Sequence, residues 1–114
     1  MDYNKADIVL INFNPQKKAE EVGKVRPAII VSDSDLNDIL DLVTVVPLTT
    51  NLIEDALPLR VRIKKRDKLQ KDSDAMIENI RAVSKDRIIE FLSKASDSEM
   101  ELIDYGIKKL LSLK

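Results

Sequence analysis

The sequence predicts a mainly β domain in which a small antiparallel barrel or curled sheet carries one amphipathic helix at the C-terminus. Three observations predict this class. Short β-branched and aliphatic runs recur along the chain, a helical pattern behind a capping signal ends it, and no repeat or linker divides its 114 residues. A chain of this length buries about two thirds of its unfolded surface without disulfides or metal ions. We therefore expect a single domain over residues 1–114.

The first half of the chain predicts three strands. Residues 8–13 form a β-branched and aromatic run that is followed by a polar loop over residues 14–25. Residues 26–32 and 42–48 are near-continuous aliphatic runs. Such runs are typical of strands that are buried on both faces.

A short helix is predicted between the last two of these strands. Residues 34–40 suit one or two helical turns, and either Asp33 or Ser34 can cap the free N–H groups at its start. Three acids in this stretch are of the type that binds calcium, namely Asp33, Asp35 and Asp38. The stretch lacks the glycine and the terminal glutamate of an EF-hand loop, so we interpret them as helix-start and surface acids.

The second half of the chain predicts three more strands. Residues 57–64 alternate apolar and basic side chains, which indicates a strand with a basic face toward solvent. Residues 75–83 and 88–92 are further strand candidates, separated by a turn around residues 84–87. These short strands suit an antiparallel sheet.

The last segment predicts an amphipathic helix that begins after Ser96. Ser96 and Glu99 have the spacing of a capping box, in which the two residues satisfy each other's free N–H groups. Lys108 and Lys109 lie near the helix end at which the dipole favours cations. The apolar residues at helical spacing are Met100, Ile103, Ile107, Leu110 and Leu111.

Composition excludes several kinds of site. The chain contains neither Cys nor His, which excludes zinc fingers, thiol nucleophiles and imidazole acid–base catalysis. We predict no metal site and no cofactor. No apolar run approaches the roughly 18 residues that span a bilayer, and the N-terminus lacks a signal-like segment. We therefore expect a soluble, cytoplasmic protein with no membrane partner.

Charge is segregated along the chain although the formal net charge is only −1. Seven Lys and Arg residues lie between residues 60 and 71, against one acid, Asp67. A basic run taken alone is usually a solvated face, and that is the interpretation it favours here.

Two polar residues stand at the ends of predicted strands. Pro27 lacks a ladder N–H and biases Arg26 toward extended backbone, so the pair suits the start or edge of a strand. An arginine there can bind phosphate through its parallel donors. Thr49 closes the strand over residues 42–48, where its hydroxyl can cap a turn. Each residue alone is an ordinary surface residue.

Four blocks of the chain, at residues 7–11, 23–31, 45–50 and 78–81, together resemble the MazF/PemK family of toxin endoribonucleases. Their order, spacing and strand context agree with the family, and the resemblance covers nearly the whole chain. It implies an SH3-like antiparallel β-barrel with a C-terminal helix, assembled as a homodimer.

The resemblance also implies an activity. Such a toxin of a type II toxin–antitoxin system is a sequence-specific, metal-independent endoribonuclease that cuts single-stranded mRNA by attack of the 2′-hydroxyl. The products are a 2′,3′-cyclic phosphate and a 5′-hydroxyl, and the outcome is inhibition of translation and growth. The implied partners are single-stranded RNA and a cognate MazE-like antitoxin with an acidic C-terminal segment.

The family's motifs match three catalytic residues in this sequence. The resemblance implies that Arg26 stabilises the phosphoryl oxygens, that Thr49 donates a hydrogen bond to one of them, and that Glu21 acts as base or orienting group. With few aromatic residues in the chain, we expect bases to stack on Arg planes and aliphatic edges more than on rings. The residues expected to bind RNA are Lys17, Lys18, Lys24, Leu57, Pro58, Arg60, Asn79 and Arg81.

The sequence departs from the family pattern in two stretches. Ala19 lies where a loop glycine is common, and Ala82 and Ser84 stand in place of the usual Thr and Asp. These changes bear on loop conformation and sequence specificity. Two alternatives stay open: a protein-binding gyrase inhibitor of the CcdB type, which the missing terminal Trp signature disfavours, and a catalytically inactive homologue that binds only the antitoxin.

Overall fold

The computed structural model describes residues 2–14 and 24–114, which form a curled antiparallel sheet with a helix packed on one face. The strands in this described part are β1 (Asp7–Asn12), β2 (Val25–Ile30), β3 (Leu42–Thr49), β4 (Arg60–Ile63), β5 (Ser73–Met76), β6 (Arg81–Ser84) and β7 (Ile88–Lys94). The helices are α1 (Ser34–Ile39) and α2 (Asp97–Leu110), and single 3₁₀ turns cover Ile77–Asn79 and Lys85–Arg87. The predicted fold class, a mainly β sheet with a C-terminal helix, is confirmed.

The sheet curls until its two ends are bridged. Its strand order is β4-β5-β3-β2-β1-β7, and β6 pairs with the first half of β3. The hairpin over residues 64–72, which joins β4 to β5, reaches β7 at the other end, where the Lys68 N–H donates to the Leu92 carbonyl oxygen at 3.3 Å. A barrel-like wall results, with each described strand pair antiparallel.

The sheet buries apolar side chains on both faces. One cluster, which includes Ile29, Leu48 and Ile103, lies between the sheet and α2. The other face carries a second buried cluster that includes Ala28 and Val45, with Phe13 packed against it. The prediction that the aliphatic runs are buried on both faces is therefore confirmed, since side chains alternate along β2 and β3 between the two clusters.

Both helices begin at the predicted caps. The Asp33 carboxylate accepts from the N–H groups of Asp35 and Leu36 at the start of α1. The Ser96 hydroxyl accepts from the Glu99 N–H, and the Glu99 carboxylate accepts from the Ser96 N–H, so the capping box is present. Among residues 2–14 and 24–114, no helix is long and apolar enough to cross a membrane.

The prediction of a strand over residues 57–64 is wrong for its first half, since β4 begins at Arg60. Residues Leu57 and Leu59 are exposed by 59% and 41%, although they continue the apolar alternation of Val61 and Ile63. The N–H groups of Leu59 and Arg60 both donate to the Ala56 carbonyl oxygen, at 3.0 and 3.1 Å. A turn therefore precedes β4, because proline at position 58 offers no N–H to a ladder.

The strand predicted over residues 75–83 is interrupted. β5 and β6 run along the same edge of β3, and the 3₁₀ turn Ile77–Asn79 separates them. Ile77 is fully buried, and its N–H donates to the Leu59 carbonyl oxygen at 3.0 Å instead of to β3. Burial of this side chain pulls the backbone out of the ladder and exposes Asn79.

Candidate active site

Arg26 and Thr49 lie at the splayed ends of two neighbouring antiparallel strands. The ladder between β2 and β3 pairs Ala28 with Pro47, and the same register carries Arg26 alongside Thr49 two residues further. Both residues line a depression of about 330 Å³. The structure thus brings together the two residues that the sequence places at strand ends.

Two prolines explain why the strands part at this point. Pro27 and Pro47 stand on facing strands, and neither can donate an N–H to the ladder. The described pairing of β2 with β3 accordingly runs only from Ala28 to Ile30. An open mouth lies between β2 and β3 beyond this point, although Arg26 still pairs with Ile11 of β1 and Thr49 with Asp74 of β5. Arg26 is exposed there and Thr49 is partly buried.

The Thr49 hydroxyl is oriented by the turn that follows β3. Its oxygen accepts from the Asn51 N–H at 3.1 Å. A hydroxyl has two acceptor sites and one donor, so this contact engages the oxygen and leaves the O–H proton to donate. The predicted alternative, that this hydroxyl caps a turn, is observed, and it is compatible with donation to an anion.

Arg26 also borders a second depression, of about 360 Å³, on its other side. The residues that line this second depression are Phe13, Lys24, Arg26, Pro47, Met76, Asn79 and Arg81. Three of them are cations and none is a carboxylate, which makes the surface favourable for phosphate. Three residues predicted to bind RNA, Lys24, Asn79 and Arg81, therefore lie with Arg26.

Phe13 also lines the second depression, although the sequence did not predict it to lie with Arg26. The Arg81 guanidinium carbon lies 5.2 Å from the centroid of its ring, within the range of a cation–π contact. Arg87 holds the neighbouring backbone, since its guanidinium donates to the carbonyl oxygens of Asn12 and Asn14. The sequence marks Phe13 only as an aromatic residue directly after β1, which does not by itself indicate a site.

Other predicted residues lie elsewhere. Leu57 and Arg60 line a separate cleft of about 250 Å³ against Leu102 of α2. The Arg60 side chain faces Glu78, with Nε 3.6 Å from the carboxylate. The Pro58 carbonyl oxygen faces Gly106 of α2. Glu21, Lys17 and Lys18, with most of the predicted loop over residues 14–25, lie outside the described residues.

In the basic run between residues 60 and 71, the arginines and the lysines have different surroundings. The arginines are paired: Arg62 Nε donates to the buried Asp74 carboxylate at 2.6 Å, and Arg66 donates to both carboxylate oxygens of Glu99. The hydrogen bond to Asp74 is the main reason why the pKa of Arg62 is raised above its ordinary value. The prediction of a solvated face holds for the four lysines, Lys64, Lys65, Lys68 and Lys71, which are exposed.

Comparison with known proteins relates the chain to one family. A family profile for PemK-like, MazF-like toxins of type II toxin–antitoxin systems matches residues 4–111. The endoribonuclease MazF of Staphylococcus epidermidis is 33% identical over 110 residues, which cover 96% of this chain and 91% of that protein.

Solved structures share the fold. MazF from Deinococcus radiodurans matches with a TM-score of 0.78 and 22% identity, covering 99% of each chain. An endoribonuclease in complex with its cognate antitoxin, from a mycobacterial species, matches with a TM-score of 0.75 and 20% identity, covering 99% of this chain and 96% of that chain. At these identities the likeness is one of fold.

Proposed function

Because the chain belongs to the PemK-like, MazF-like toxin family of type II toxin–antitoxin systems, we propose that it is a sequence-specific endoribonuclease that cuts single-stranded RNA. The observation that carries the proposal is the pairing of Arg26 with Thr49 in one depression at the splayed ends of β2 and β3. A guanidinium beside a hydroxyl donor suits the oxygens of a reacting phosphate.

The proposed reaction is an internal transfer of the phosphate. The 2′-oxygen of the RNA attacks the phosphorus of its own 3′-phosphate and loses its proton to a base, while the bond from phosphorus to the 5′-oxygen breaks. The 5′-oxygen takes up a proton, and a 2′,3′-cyclic phosphate remains. Because the substrate supplies the nucleophile, this scheme requires no metal ion.

The residues divide the work according to their chemistry. Arg26 stabilises the additional negative charge on the phosphoryl oxygens, since a guanidinium is always charged and offers parallel donors. Thr49 donates its O–H to a nonbridging oxygen. Glu21 is proposed as the base or as the group that orients the 2′-hydroxyl.

The second depression is proposed to bind the flanking bases. Phe13 offers a ring on which an unstacked base can lie, and Arg81 offers a planar guanidinium against that ring. Asn79 donates weakly to the Met76 sulfur at 3.5 Å, so its amide oxygen and second N–H can reach a base edge. These residues are the proposed source of sequence specificity.

The proposed partners follow from the family and from charge. An antitoxin with an acidic segment suits the mouth at Arg26 and Lys24, because such a segment orders on binding and gains from charge complementarity. We propose that this segment and the RNA compete there. A homodimer is the assembly that the family implies.

The test is cleavage by purified variants at Arg26. Arg26→Ala should lower the single-turnover rate on the order of 100-fold or more, because it removes a charged contact made in the transition state. Arg26→Lys should recover only part of the rate, since it keeps the charge and loses the parallel donors. The matched control is Lys64→Ala, which removes an exposed cation from the hairpin over residues 64–72.

Near wild-type cleavage by a folded Arg26→Ala protein would exclude the assignment. A wild-type protein that binds gyrase and cuts no RNA would favour the protein-binding alternative instead.

A further inference from the structure

A cleft of about 320 Å³ opens next to the depression that holds Arg26 and Thr49. The two share Pro27 and Thr50 in their walls, so the cleft continues the proposed site along the surface.

The cleft has an apolar floor and a polar rim. Leu10, Leu69 and Leu92 form the floor, and the last two are buried. The rim on the hairpin over residues 64–72 carries Lys68, Gln70 and Lys71. Glu90 lies opposite and is paired with Lys68, whose Nζ is 3.4 Å from the carboxylate.

The hairpin that carries the rim is anchored to the rest of the protein. Arg66 binds Glu99 of α2 through both carboxylate oxygens and also donates to the Lys94 carbonyl oxygen at 3.1 Å. The Ser93 hydroxyl donates to the Asp67 carboxylate. The lysines of the run are thereby presented at a defined place beside the cleft.

We propose that this cleft binds one unpaired nucleotide of the RNA adjacent to the scissile phosphate, an inference that rests on the proposed function. The base lies on the leucine floor, and Lys71 binds the backbone phosphate. A volume of about 320 Å³ is near the lower end of ordinary ligand sites, about 300–1,000 Å³, and suits a single nucleotide.

The chemistry of the rim favours a nucleotide over an acidic peptide. The Gln70 amide and the Glu90 carboxylate offer donors and acceptors to the edge of a base, as single-strand recognition requires. An acidic peptide would bring carboxylates toward Glu90, which like-charge repulsion opposes, whereas a nucleotide brings the neutral edge of its base there and keeps its phosphate at Lys71. The continuity with Arg26 through Pro27 and Thr50 places a phosphate chain within reach.

The test measures binding of a short single-stranded 2′-O-methyl RNA that cannot be cut. Its sequence is that of a mapped cleavage site, or is randomised if the protein cuts none. A matched series carries a single abasic nucleotide at each position. The variants are Gln70→Ala/Lys71→Ala, which alters the rim, and Lys64→Ala/Lys65→Ala, which removes two exposed cations of the same hairpin outside the cleft.

The rim variant should bind the intact RNA about tenfold more weakly. In the wild type, an abasic nucleotide at one position should weaken RNA binding. The same abasic nucleotide should not weaken binding further in the rim variant, whereas it should still do so in the control variant. An abasic penalty equal in rim variant and wild type at every position would overturn the proposal. A rim variant that binds RNA as the wild type does, but no longer binds an acidic antitoxin peptide, would also overturn the proposal.

Failure of the proposed function is a separate result. A wild-type protein that cuts no RNA contradicts the nuclease assignment, whereas the binding comparison between rim and control variants still decides the subsite.

Discussion

Thr49 carries a hydroxyl that serves the turn and the proposed chemistry at once. Its oxygen accepts from the Asn51 N–H at 3.1 Å, which fixes the position of the oxygen at the mouth beside Arg26. The remaining O–H proton can point into the depression. The residue therefore contributes a single neutral hydrogen bond, against the charged contact of Arg26.

Thr49→Val should lower the single-turnover cleavage rate about tenfold, because it keeps the shape of the side chain and removes one neutral donor worth about 1.4 kcal/mol. Thr44→Val is the matched control, since it makes the same change in β3 away from the depression. Equal rates for both variants would make Thr49 a structural residue only.

Individual site residues differ in how far the sequence predicts them. The backbone positions of Arg26 and Thr49 are predictable because a proline and a strand end mark them, whereas their assignment to one site comes from the resemblance to the family. The place of Phe13 beside Arg26 is not predictable from neighbouring residues. Its ring contacts Arg81, which lies 68 residues further along the chain and approaches it only in the folded sheet. The roles of Glu21, Lys17 and Lys18 stay predictions.

The hairpin over residues 64–72 depends on its contact with α2. Burial raises the pKa of Glu99, but hydrogen bonds from the Arg66 guanidinium and the Ser96 N–H outweigh it and hold this pKa below its ordinary value. A carboxyl with a lowered pKa in the folded state stabilises the protein above its unfolded pKa of about 4.3. That contribution is lost as the pH falls through the folded value.

Glu99→Gln should lower the free energy of unfolding at pH 7 by about 1–3 kcal/mol, because it weakens charge-assisted hydrogen bonds to Arg66 and Ser96. The difference from wild type should shrink as the pH falls below about 4. Urea unfolding across this range measures it. A difference that is constant with pH would show that the carboxylate charge contributes nothing.

Gly106 permits α2 to approach the turn before β4. A Cβ at this position would lie 2.4 Å from the Pro58 carbonyl oxygen and 3.2 Å from the Ile77 side chain. Alanine usually stabilises a helix relative to glycine, by about 1 kcal/mol. The backbone contact reverses that expectation here.

Gly106→Ala should therefore destabilise the protein by about 1–3 kcal/mol, the usual cost of overpacking. Lys108→Ala, on an exposed position of the same helix, is the control and should change little. Thermal unfolding of both variants checks this. A stabilised Gly106→Ala protein would mean that helix and turn separate without cost.

At the scale of elements, the sequence predicts helices better than it predicts the interrupted strands. The capping signals at Asp33 and Ser96 are local, so the helix starts follow from neighbouring residues. The alternation from Leu57 to Ile63 and the apolar run through Ile77 are local too, but a turn at Ala56 and burial of Ile77 override them. Tertiary contacts decide such cases.

The whole molecule concentrates positive charge around one edge of the sheet despite its net charge of −1. The first two depressions meet at Arg26, and the leucine-floored cleft adjoins them at Pro27 and Thr50. Glu90 lines the cleft but is paired with Lys68, and other acidic residues lie on α1 and along α2. Net charge therefore obscures a surface that suits a chain of phosphates, and only the fold reveals it.

In the proposed reaction, the RNA supplies its own nucleophile to a phosphate held by Arg26 and Thr49. The most direct measurement compares an all-RNA oligonucleotide with one that carries a 2′-deoxy sugar just 5′ of the scissile bond, each with and without a chelator. We expect the all-RNA strand to be cut at the same rate with chelator present, and the deoxy strand to bind but stay intact. Cleavage of the deoxy strand, or complete inhibition by the chelator, would exclude attack by the 2′-hydroxyl, since both are expected of water activated by a metal ion.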